Sequence, residues 1–483
     1  MPEKLLTNMR AKLNTFQEFT QSLYPHEVDY LLSVQNFSKE SNLRILHQIY
    51  ANSNSQQAPK AFDTNVDKRT YSYIKTWIQD TLSKIDVDVF FEWLIMVEKK
   101  VLTDVISPLD ETEILANIKL IKPTHYHFIR FFELLQYYRD YLLVRNQNKY
   151  NKVVSDYLET YRENYLKSTE INRQLHFITA KIVKKENTEN YELISAESLL
   201  KSIYYDENLD AYTRYRAVVR LTIYFYNSRQ FDKQLVVYQH LDNLFKTPLF
   251  YSKRLLANYY ANRAMMHSKL NELTQAEKYG YLSIRNKNSD YLFYLINLCG
   301  VLLKQGKKVE ALKLMRDSIP ELKNTNNNYY KIGFATFYIK TLIVNQKYDK
   351  AVEYATSYFE AYKKEIFEHR WHLFFCAYLQ ALVQMEKYAK VLSLTRRYKL
   401  VAKEKQRIDR ADYLPIIQLY SFLSEYLENI ITKEKLINSV VKASQDLMSD
   451  KYRSRKIIEL LDELGQSLPE EIKIIKKELG VMK

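Results

Sequence analysis

The stretch RLLANYYANRAMMHSKLNELTQAEKYGYL, residues 254–282, carries the pattern that decides the fold. Apolar and small side chains recur at helical spacing on both sides of a short polar turn that begins at Asn271. This pattern predicts two amphipathic helices joined as an antiparallel hairpin. One hairpin cannot cover its own apolar face, so it needs similar hairpins to stack against.

The same pattern recurs along the chain. In seven segments a polar turn precedes an amphipathic run, and the residues that open these runs are Val153, Ile194, Gln234, Ala276, Ala311, Ala351 and Val391. Their spacings are 41, 40, 42, 35, 40 and 40 residues. Each period has room for two helices and two turns, whereas a single globular bundle needs no constant period. We therefore expect an all-α protein with an α-solenoid of about seven helical hairpins over residues 136–415.

Composition favours the same fold class. The chain has 483 residues, of which 46% are hydrophobic and 14% aromatic, but only 6 are Gly and 9 are Pro. Ordinary usage would give about 34 Gly in a chain of this length. Glycine-rich phosphate loops and repeated tight hairpins of strands are therefore excluded, and the aromatic content excludes a mainly disordered chain.

Both ends of the chain depart from the period. Residues 1–135 contain amphipathic segments punctuated by prolines, and we expect an N-terminal helical bundle that caps the solenoid. Residues 416–483 are expected to form a C-terminal helical cap. Its last helix is predicted to start at Pro469 with Ser467 as the N-cap.

Residues 255–395 resemble tetratricopeptide repeats. The resemblance rests on small residues in the first helices, a Lys-Gln-Gly turn and alanines that open the second helices, namely Ala264, Cys299, Lys304–Gly306, Ala276 and Ala311. In that family such small residues let the two helices of a hairpin approach closely. The present period is nearer 40 than the family's value of about 34, the family's early Trp and recurrent closing Pro are absent, and Ile339 replaces a small residue. HEAT-like or irregular helical repeats therefore stay open.

Charge and targeting signals bear on partners and location. The chain has 72 Lys and Arg against 57 Asp and Glu, a net charge of +15. Such an excess suits nucleic acid, an anionic membrane surface or an acidic partner, although an A/T-rich genome also enriches Lys. The two cysteines form no CxxC pair, and neither a signal peptide nor a membrane-spanning apolar stretch is readable. We expect a cytoplasmic protein without membrane insertion.

The most basic part of the chain is residues 396–410, here called the basic segment. Its seven cations are Arg396, Arg397, Lys399, Lys403, Lys405, Arg407 and Arg410. Only Glu404 and Asp409 oppose them, and Tyr398 could stack on a base. On one continuous helix Arg396, Lys399 and Lys403 would share a face suited to phosphate contacts. A solvated ridge of the solenoid is the alternative interpretation.

Few residues suggest catalysis or metal binding. His125 and His127 form an HxH pair with no third ligand nearby, whereas His369, His372 and Cys376 have a helical spacing that could hold zinc. No nucleotide-binding loop or nucleophile motif is present. We expect no enzymatic activity, no cofactor and no bound metal.

Three hypotheses follow. The first is a non-enzymatic cytosolic scaffold or adaptor that binds a protein or peptide on the concave face of the solenoid. The second is a nucleic-acid-associated or regulatory protein that uses the basic segment. The third is an enzyme or metal protein built on His369, His372 and Cys376.

Overall fold

The computed structural model describes residues 13–54, 59–184, 190–410 and 413–481, and every regular element in these ranges is helical. The predicted all-α fold is confirmed. The chain divides into two compact units, one ending at Asn286 and the other beginning at Lys287. Among the described helices, none combines the length and the apolar character needed to cross a bilayer.

The helices of the first unit include long amphipathic pairs and three that begin after a side-chain N-cap of Asp. In chain order the helices are α1 (13–21), α2 (Pro25–Val34), α3 (Glu40–Asn54), α4 (Lys68–Ser83), α5 (Val87–Leu102), α6 (Pro108–Leu120), α7 (Phe128–Val144), α8 (Asn148–Thr160), α9 (Arg162–Lys184), α10 (Asn190–Tyr205), α11 (Ala211–Asn227), α12 (Phe231–Leu244), α13 (Lys253–Lys269) and α14 (Leu273–Ser283). The boundary predicted after residue 135 falls inside α7. The three-part division into 1–135, 136–415 and 416–483 stays a prediction.

The second unit alternates long and short helices. They are α15 (Tyr291–Lys304), α16 (Lys308–Asp317), α17 (Ile319–Asn324), α18 (Asn328–Val344), α19 (Tyr348–Ala361), α20 (Lys363–His369), α21 (Trp371–Gln384), α22 (Tyr388–Arg397), α23 (Leu400–Lys405), α24 (Ile416–Leu427), α25 (Lys433–Ser444), a 3-10 turn (Gln445–Leu447), α26 (Lys451–Leu464) and α27 (Pro469–Glu478). The closing helix begins at Pro469 as predicted, but its N-cap is Leu468. The prediction of Ser467 as N-cap was wrong by one residue.

Stacked hairpins form the core of the second unit. α15 pairs with α16, α18 with α19, α21 with α22 and α24 with α25, and the first helices α15, α18, α21 and α24 pack on one another in that order. Ala311, Ala351 and Val391 are fully buried in the second helices. The Cys299 Sγ atom lies 3.9 Å from the Ala311 carbonyl oxygen. Small residues thus let the two helices of a hairpin approach closely, and the arrangement is solenoid-like.

The short helices α17 and α20 account for the two 40-residue spacings of the second unit, from Ala311 to Ala351 and from Ala351 to Val391. Each lies between the second helix of one hairpin and the first helix of the next. A connection of this kind adds more than one helical turn to the repeat that contains it. These two spacings therefore report an extra element between hairpins, whereas the first unit reaches a similar spacing without a short connecting helix, for example across the 23-residue α9.

The hairpin turns share a backbone conformation rather than a residue type. In seven turns one residue has a left-handed φ between 54° and 76°, namely Asn146, Arg229, Asn271, Gly306, Gln346, Glu386 and Asn429. The following amide donates to a carbonyl five residues back, as from Lys347 to Leu342 and from Lys387 to Leu382, both at 2.9 Å. This is the Schellman motif that ends helices. Because only one of these residues is Gly, the repeat needs few glycines.

The left-handed residues also correct the sequence alignment. Gln234, Ala276, Ala311, Ala351 and Val391 follow them by the same interval and are buried. Val153 lies two residues further from its left-handed residue and is 42% exposed, so its alignment with the other residues that open an amphipathic run was wrong. The Ile194 side chain lies outside the described residues.

Polar contacts join α2 to later parts of the first unit. The fully buried Glu27 carboxylate accepts hydrogen bonds at 2.6 Å from the Tyr24 amide and the Tyr251 hydroxyl. His26 Nε2 lies 2.8 Å from the Asp242 carboxylate. Burial opposes ionisation of Asp242, but the bonds from His26 and Tyr259 outweigh it and lower the Asp242 pKa to about 2. The N-terminal helices are therefore built into this unit.

Glycine at the left-handed positions of Gln346 and Glu386 is expected to stabilise the second unit. A side chain with a Cβ atom costs roughly 1 kcal/mol in this conformation, and both side chains are exposed. We expect Gln346→Gly and Glu386→Gly each to raise the free energy of unfolding in urea by about 0.5–1 kcal/mol. Ser393→Gly, at an exposed site inside α22, is the control and should lower it by about 0.5 kcal/mol. A loss of stability in both turn variants would contradict the assignment.

Candidate functional site

The basic segment does not form one helix. α22 ends and α23 begins on either side of Lys399, whose φ of 49° is left-handed. The expectation that Arg396, Lys399 and Lys403 share one helical face was therefore wrong. The break lets two side chains of the segment, Tyr398 and Glu404, both pack inward against the hairpins.

The cations of the basic segment nevertheless form a basic surface. Arg407 is half-buried and the other six are exposed. Glu404 is turned inward, and the Glu425 carboxylate is 3.9 Å from Arg396 Nη2. The exposed cations are Arg396, Arg397, Lys399, Lys403, Lys405 and Arg410. Close carboxylate partners are therefore scarce on this surface among the described residues.

Tyr398 belongs to an aromatic cluster. Its ring centroid lies 5.4 Å from that of Phe359 and 5.5 Å from that of Phe367. Lys363 Nζ lies 4.8 Å from the centroid of the same ring. Since neighbouring groups already pack around this half-buried ring, the geometry does not favour stacking of a base on Tyr398.

Glu404 anchors the start of α24. Its side chain is fully buried, and its two carboxylate oxygens accept hydrogen bonds from the amides of Ile417 at 3.0 Å and Gln418 at 2.8 Å. His372 Nε2 lies 2.8 Å from the same carboxylate. A carboxylate at a helix N-terminus satisfies unpaired amides and complements the helix dipole. The acidic residue of the basic segment is therefore a structural anchor.

The candidate metal ligands are brought together only in part. His372, Cys376 and Glu404 place one ligand atom each within 4.8 Å of one another, whereas His369 is exposed. Burial raises the pKa of the Cys376 thiol, which disfavours the thiolate that a metal or a nucleophilic reaction needs. The bonds of Glu404 to α24 already explain the arrangement. The expected absence of a metal stays a prediction.

His125 and His127 have structural contacts in the first unit. The His127 amide donates to His125 Nδ1 at 3.2 Å, and His127 Nε2 donates to the Val87 carbonyl at 2.8 Å. Burial lowers the pKa of each imidazole to about 4, and the neighbouring His127 adds to the effect on His125. Both rings are therefore neutral at ordinary pH and join α5 to the start of α7.

A face shared by the first helices of the second unit is covered by α26. Glu463 of α26 accepts hydrogen bonds at 2.9 Å from Gln380 of α21 and from the Tyr420 hydroxyl of α24. Lys340 of α18 lies close enough to Glu463 and Lys456 for their charges to affect its pKa. We call the surface formed by Lys340, Gln380 and Tyr420 the inner face.

The ionisable groups at the inner face are buried and lie close to polar or charged partners. Burial raises the pKa of Glu463 against the opposing effect of its bonds to Tyr420 and Gln380. Burial also lowers the pKa of Lys340, for which Glu463 is a nearby counter-charge. Ile457, Leu461 and Leu464 of α26 join the hydrophobic core of the unit. The face thus accepts an amphipathic helix with a carboxylate beside its apolar stripe.

Sequence reasoning missed the residues of the inner face. The available signal was weak. Glu463 lies inside the segment LLDEL, residues 460–464, and Gln380 interrupts the apolar run of α21. Their contact joins residues 83 positions apart, which periodicity does not report. Comparisons with protein-family models and with curated proteins find no match to this chain.

Proposed function

We propose that this protein is a non-enzymatic, cytoplasmic scaffold or adaptor whose tetratricopeptide-like repeats bind a protein or peptide. The binding surface is the inner face of the second unit. The observation that carries the proposal is the pair of hydrogen bonds that Gln380 and Tyr420 donate to Glu463 of α26. They give the face a defined polar contact for a chain segment.

The contacts of α26 indicate the chemistry of the partner. A segment that replaces α26 would present a carboxylate to Gln380 and Tyr420, with Lys340 nearby, and apolar side chains to the core beside them. Stacked hairpins bind such segments over an extended surface, and helix-in-groove recognition uses apolar anchors at helical spacing. In this proposal α26 is the internal competitor of the partner.

The second candidate function is association with nucleic acid through the basic segment. Six exposed cations with few close carboxylates favour it, because phosphate neutralisation releases counterions. The packing of Tyr398 against Phe359 and Phe367 speaks against base stacking and for backbone contacts alone. Such binding would be insensitive to base sequence.

Capture by the tagged full-length chain from its native lysate tests both candidates. The lysate is divided into nuclease-treated and untreated halves and eluted with stepped salt. We expect protein partners to survive nuclease, and Gln380→Ala with Tyr420→Phe to lower their retention about tenfold, as loss of a charge-assisted hydrogen bond predicts. Glu463→Ala removes only the internal contact, so it should raise retention of the same partners.

The control neutralises the other surface. Lys403→Gln, Lys405→Gln and Arg410→Gln together should leave nuclease-resistant partners unchanged. Loss of capture in this triple variant, with nucleic acid released at moderate salt, would replace the scaffold function by the second candidate. Equal capture by wild type, the inner-face variant and Glu463→Ala would refute binding at the inner face.

A further inference from the structure

A cavity of about 600 Å³ that is partly open to solvent lies in the first unit, between α5, α7, α9, α11 and α13. Cavities of this size commonly hold small organic ligands. Its lining combines arginines with aromatic and polar side chains: Asp88, Phe91, Tyr126, His127, Ile129, Arg130, Thr169, Asn172, Tyr212, Tyr215, Arg216, Val219, Arg220 and Arg254. Nothing in the proposed scaffold function uses this cavity.

Two of the lining arginines are already neutralised. Arg254 forms a bidentate pair with Asp88, with Nη2 at 2.6 Å and Nε at 3.1 Å from the two carboxylate oxygens. Arg130 pairs with Glu98 at 2.8 Å and Glu133 at 2.6 Å. The Asp88 carboxylate at the cavity wall is therefore already paired with Arg254, and Arg130 is paired with two other carboxylates.

Arg216 and Arg220 lack such partners among the described residues. They lie one turn apart on α11, both are half-buried, and their hydrogen bonds to described residues go to neutral oxygens. Arg216 donates to Asn172, while Arg220 donates to the Thr179 hydroxyl, to the Leu175 carbonyl at 3.1 Å and to the Arg216 carbonyl at 2.7 Å. Burial lowers the pKa of Arg220, and the charge of Arg216 lowers it further. An anion bound between the two guanidinium groups would supply a counter-charge and offset the repulsion between them.

The remaining wall is suited to an apolar or flat group. Phe91 stacks on His127 with ring centroids 5.1 Å apart and an interplanar angle of 18°. Tyr126 is buried beside them, and Tyr212 lies under the Arg216 guanidinium at 5.5 Å. The guanidinium fork matches the oxygens of carboxylate and phosphate groups, and the aromatic rings match a planar body.

We propose that this cavity is a binding site for a small organic anion, whose carboxylate or phosphate pairs with Arg216 and Arg220 while its apolar body lies against Phe91 and Tyr126. The site is independent of the inner face, since it lies within the other unit. Asn172 and Thr169 supply neutral polar groups at the same wall. Their hydrogens are already donated, from the Asn172 amide to Ser168 and Thr213 and from the Thr169 hydroxyl to the Tyr165 carbonyl, so the two guanidinium groups make the head-group contact.

Calorimetric titration of the full-length chain tests the site with four probes: phenyl phosphate, benzoate, inorganic phosphate and benzyl alcohol. We expect saturable binding of phenyl phosphate or benzoate, with the tighter of the two identifying the head group. Inorganic phosphate, which lacks the apolar body, and benzyl alcohol, which lacks the charge, should each bind at least about tenfold more weakly. Equal binding of all four probes would overturn the proposal, as would no saturation by either organic anion up to about 10 mM.

Variants locate the bound anion. Arg216→Gln with Arg220→Gln should weaken the tighter probe at least about tenfold, and the corresponding Lys pair, which keeps charge but loses the fork, should weaken it less. Arg69→Gln with Arg173→Gln removes two exposed arginines of the same unit and should leave affinity within about twofold. Equal weakening by both Gln pairs would show a general charge effect and overturn the assignment.

A measurement on the wild-type chain avoids the risk that a variant misfolds. Phenylglyoxal modifies accessible guanidinium groups, and peptide mass mapping reports the modified positions. The saturating organic anion should slow modification of Arg216 and Arg220 at least about fivefold and leave Arg69 unchanged. Uniform rates with and without the anion would refute binding at these two residues.

Discussion

Replacing Glu404 with alanine is expected to lower the free energy of unfolding of the second unit by about 3 kcal/mol or more. The substitution removes a fully buried carboxylate and leaves the amides of Ile417 and Gln418 and the imidazole of His372 without their acceptor. Unsatisfied buried polar groups carry most of this cost, and a cavity in place of the side chain adds to it. Urea unfolding of the full-length chain, with hydrogen exchange to resolve α21 and α24, measures the loss.

Two variants separate the role of Glu404 from a general effect of substitution. Glu404→Gln keeps the size of the side chain and one acceptor oxygen, so we expect about half of the alanine effect. Lys403→Ala changes an exposed neighbour and should stay within about 0.5 kcal/mol of wild type. A cost below about 1 kcal/mol for Glu404→Ala would show that this carboxylate does not anchor α24.

The same experiment bears on metal binding by His372, Cys376 and Glu404. We expect the unfolding free energy of the wild-type chain to be unchanged by a chelator, because the Glu404 oxygens already accept backbone hydrogen bonds. If the cluster held a metal in the folded state only, removal of the metal by the chelator would lower the free energy of unfolding. A stability that falls with chelator in wild type but not in Cys376→Ser would establish a metal site.

The repeat could be predicted from the sequence because its signal is local. Within each hairpin, apolar residues recur at helical spacing. Small buried residues such as Ala311 and Ala351 mark the close approach of two helices. The short helices α17 and α20 appear in the sequence only as a longer period. The break at Lys399 was missed because a non-glycine left-handed residue has no strong sequence signature.

The candidate sites could not be predicted to the same extent because their contacts are long-range. Glu404 is 32 residues from His372, and Glu463 is 83 residues from Gln380. The spacing of Arg216 and Arg220 places them on one helical face, but the sequence cannot show which carboxylates neighbouring helices bring to that face. A charged residue therefore reveals its role only when the fold supplies or withholds its partner.

Acidification is expected to destabilise the first unit through His125 and His127. The pKa of each is about 4 in the folded chain, against an ordinary value of 6.5. Their contribution is therefore fully present above about pH 6.5 and is lost as the pH falls toward 4, because the unfolded chain takes up the protons first. Between about pH 7 and pH 5 the two imidazoles together should lower the free energy of unfolding by about 3 kcal/mol.

The double variant His125→Asn with His127→Gln isolates this contribution. Asn supplies an acceptor in place of His125 Nδ1, Gln supplies a donor in place of His127 Nε2, and neither titrates. Urea unfolding at about pH 7, 6 and 5 should show a pH dependence weaker than wild type by about 3 kcal/mol over the range.

Other titrating groups of the first unit cancel in this comparison. Asp86, the N-cap of α5, has a pKa that burial raises to about 6, so its protonation stabilises the folded state as the pH falls. Because wild type and variant both retain it, the difference between their pH profiles reports the two histidines. His47→Gln with His176→Gln, which removes two exposed imidazoles of the same unit, should keep the wild-type profile. If the His125/His127 variant also kept that profile, the two rings would be protonated alike in the folded and unfolded chain, and their neutral junction between α5 and α7 would be disproved.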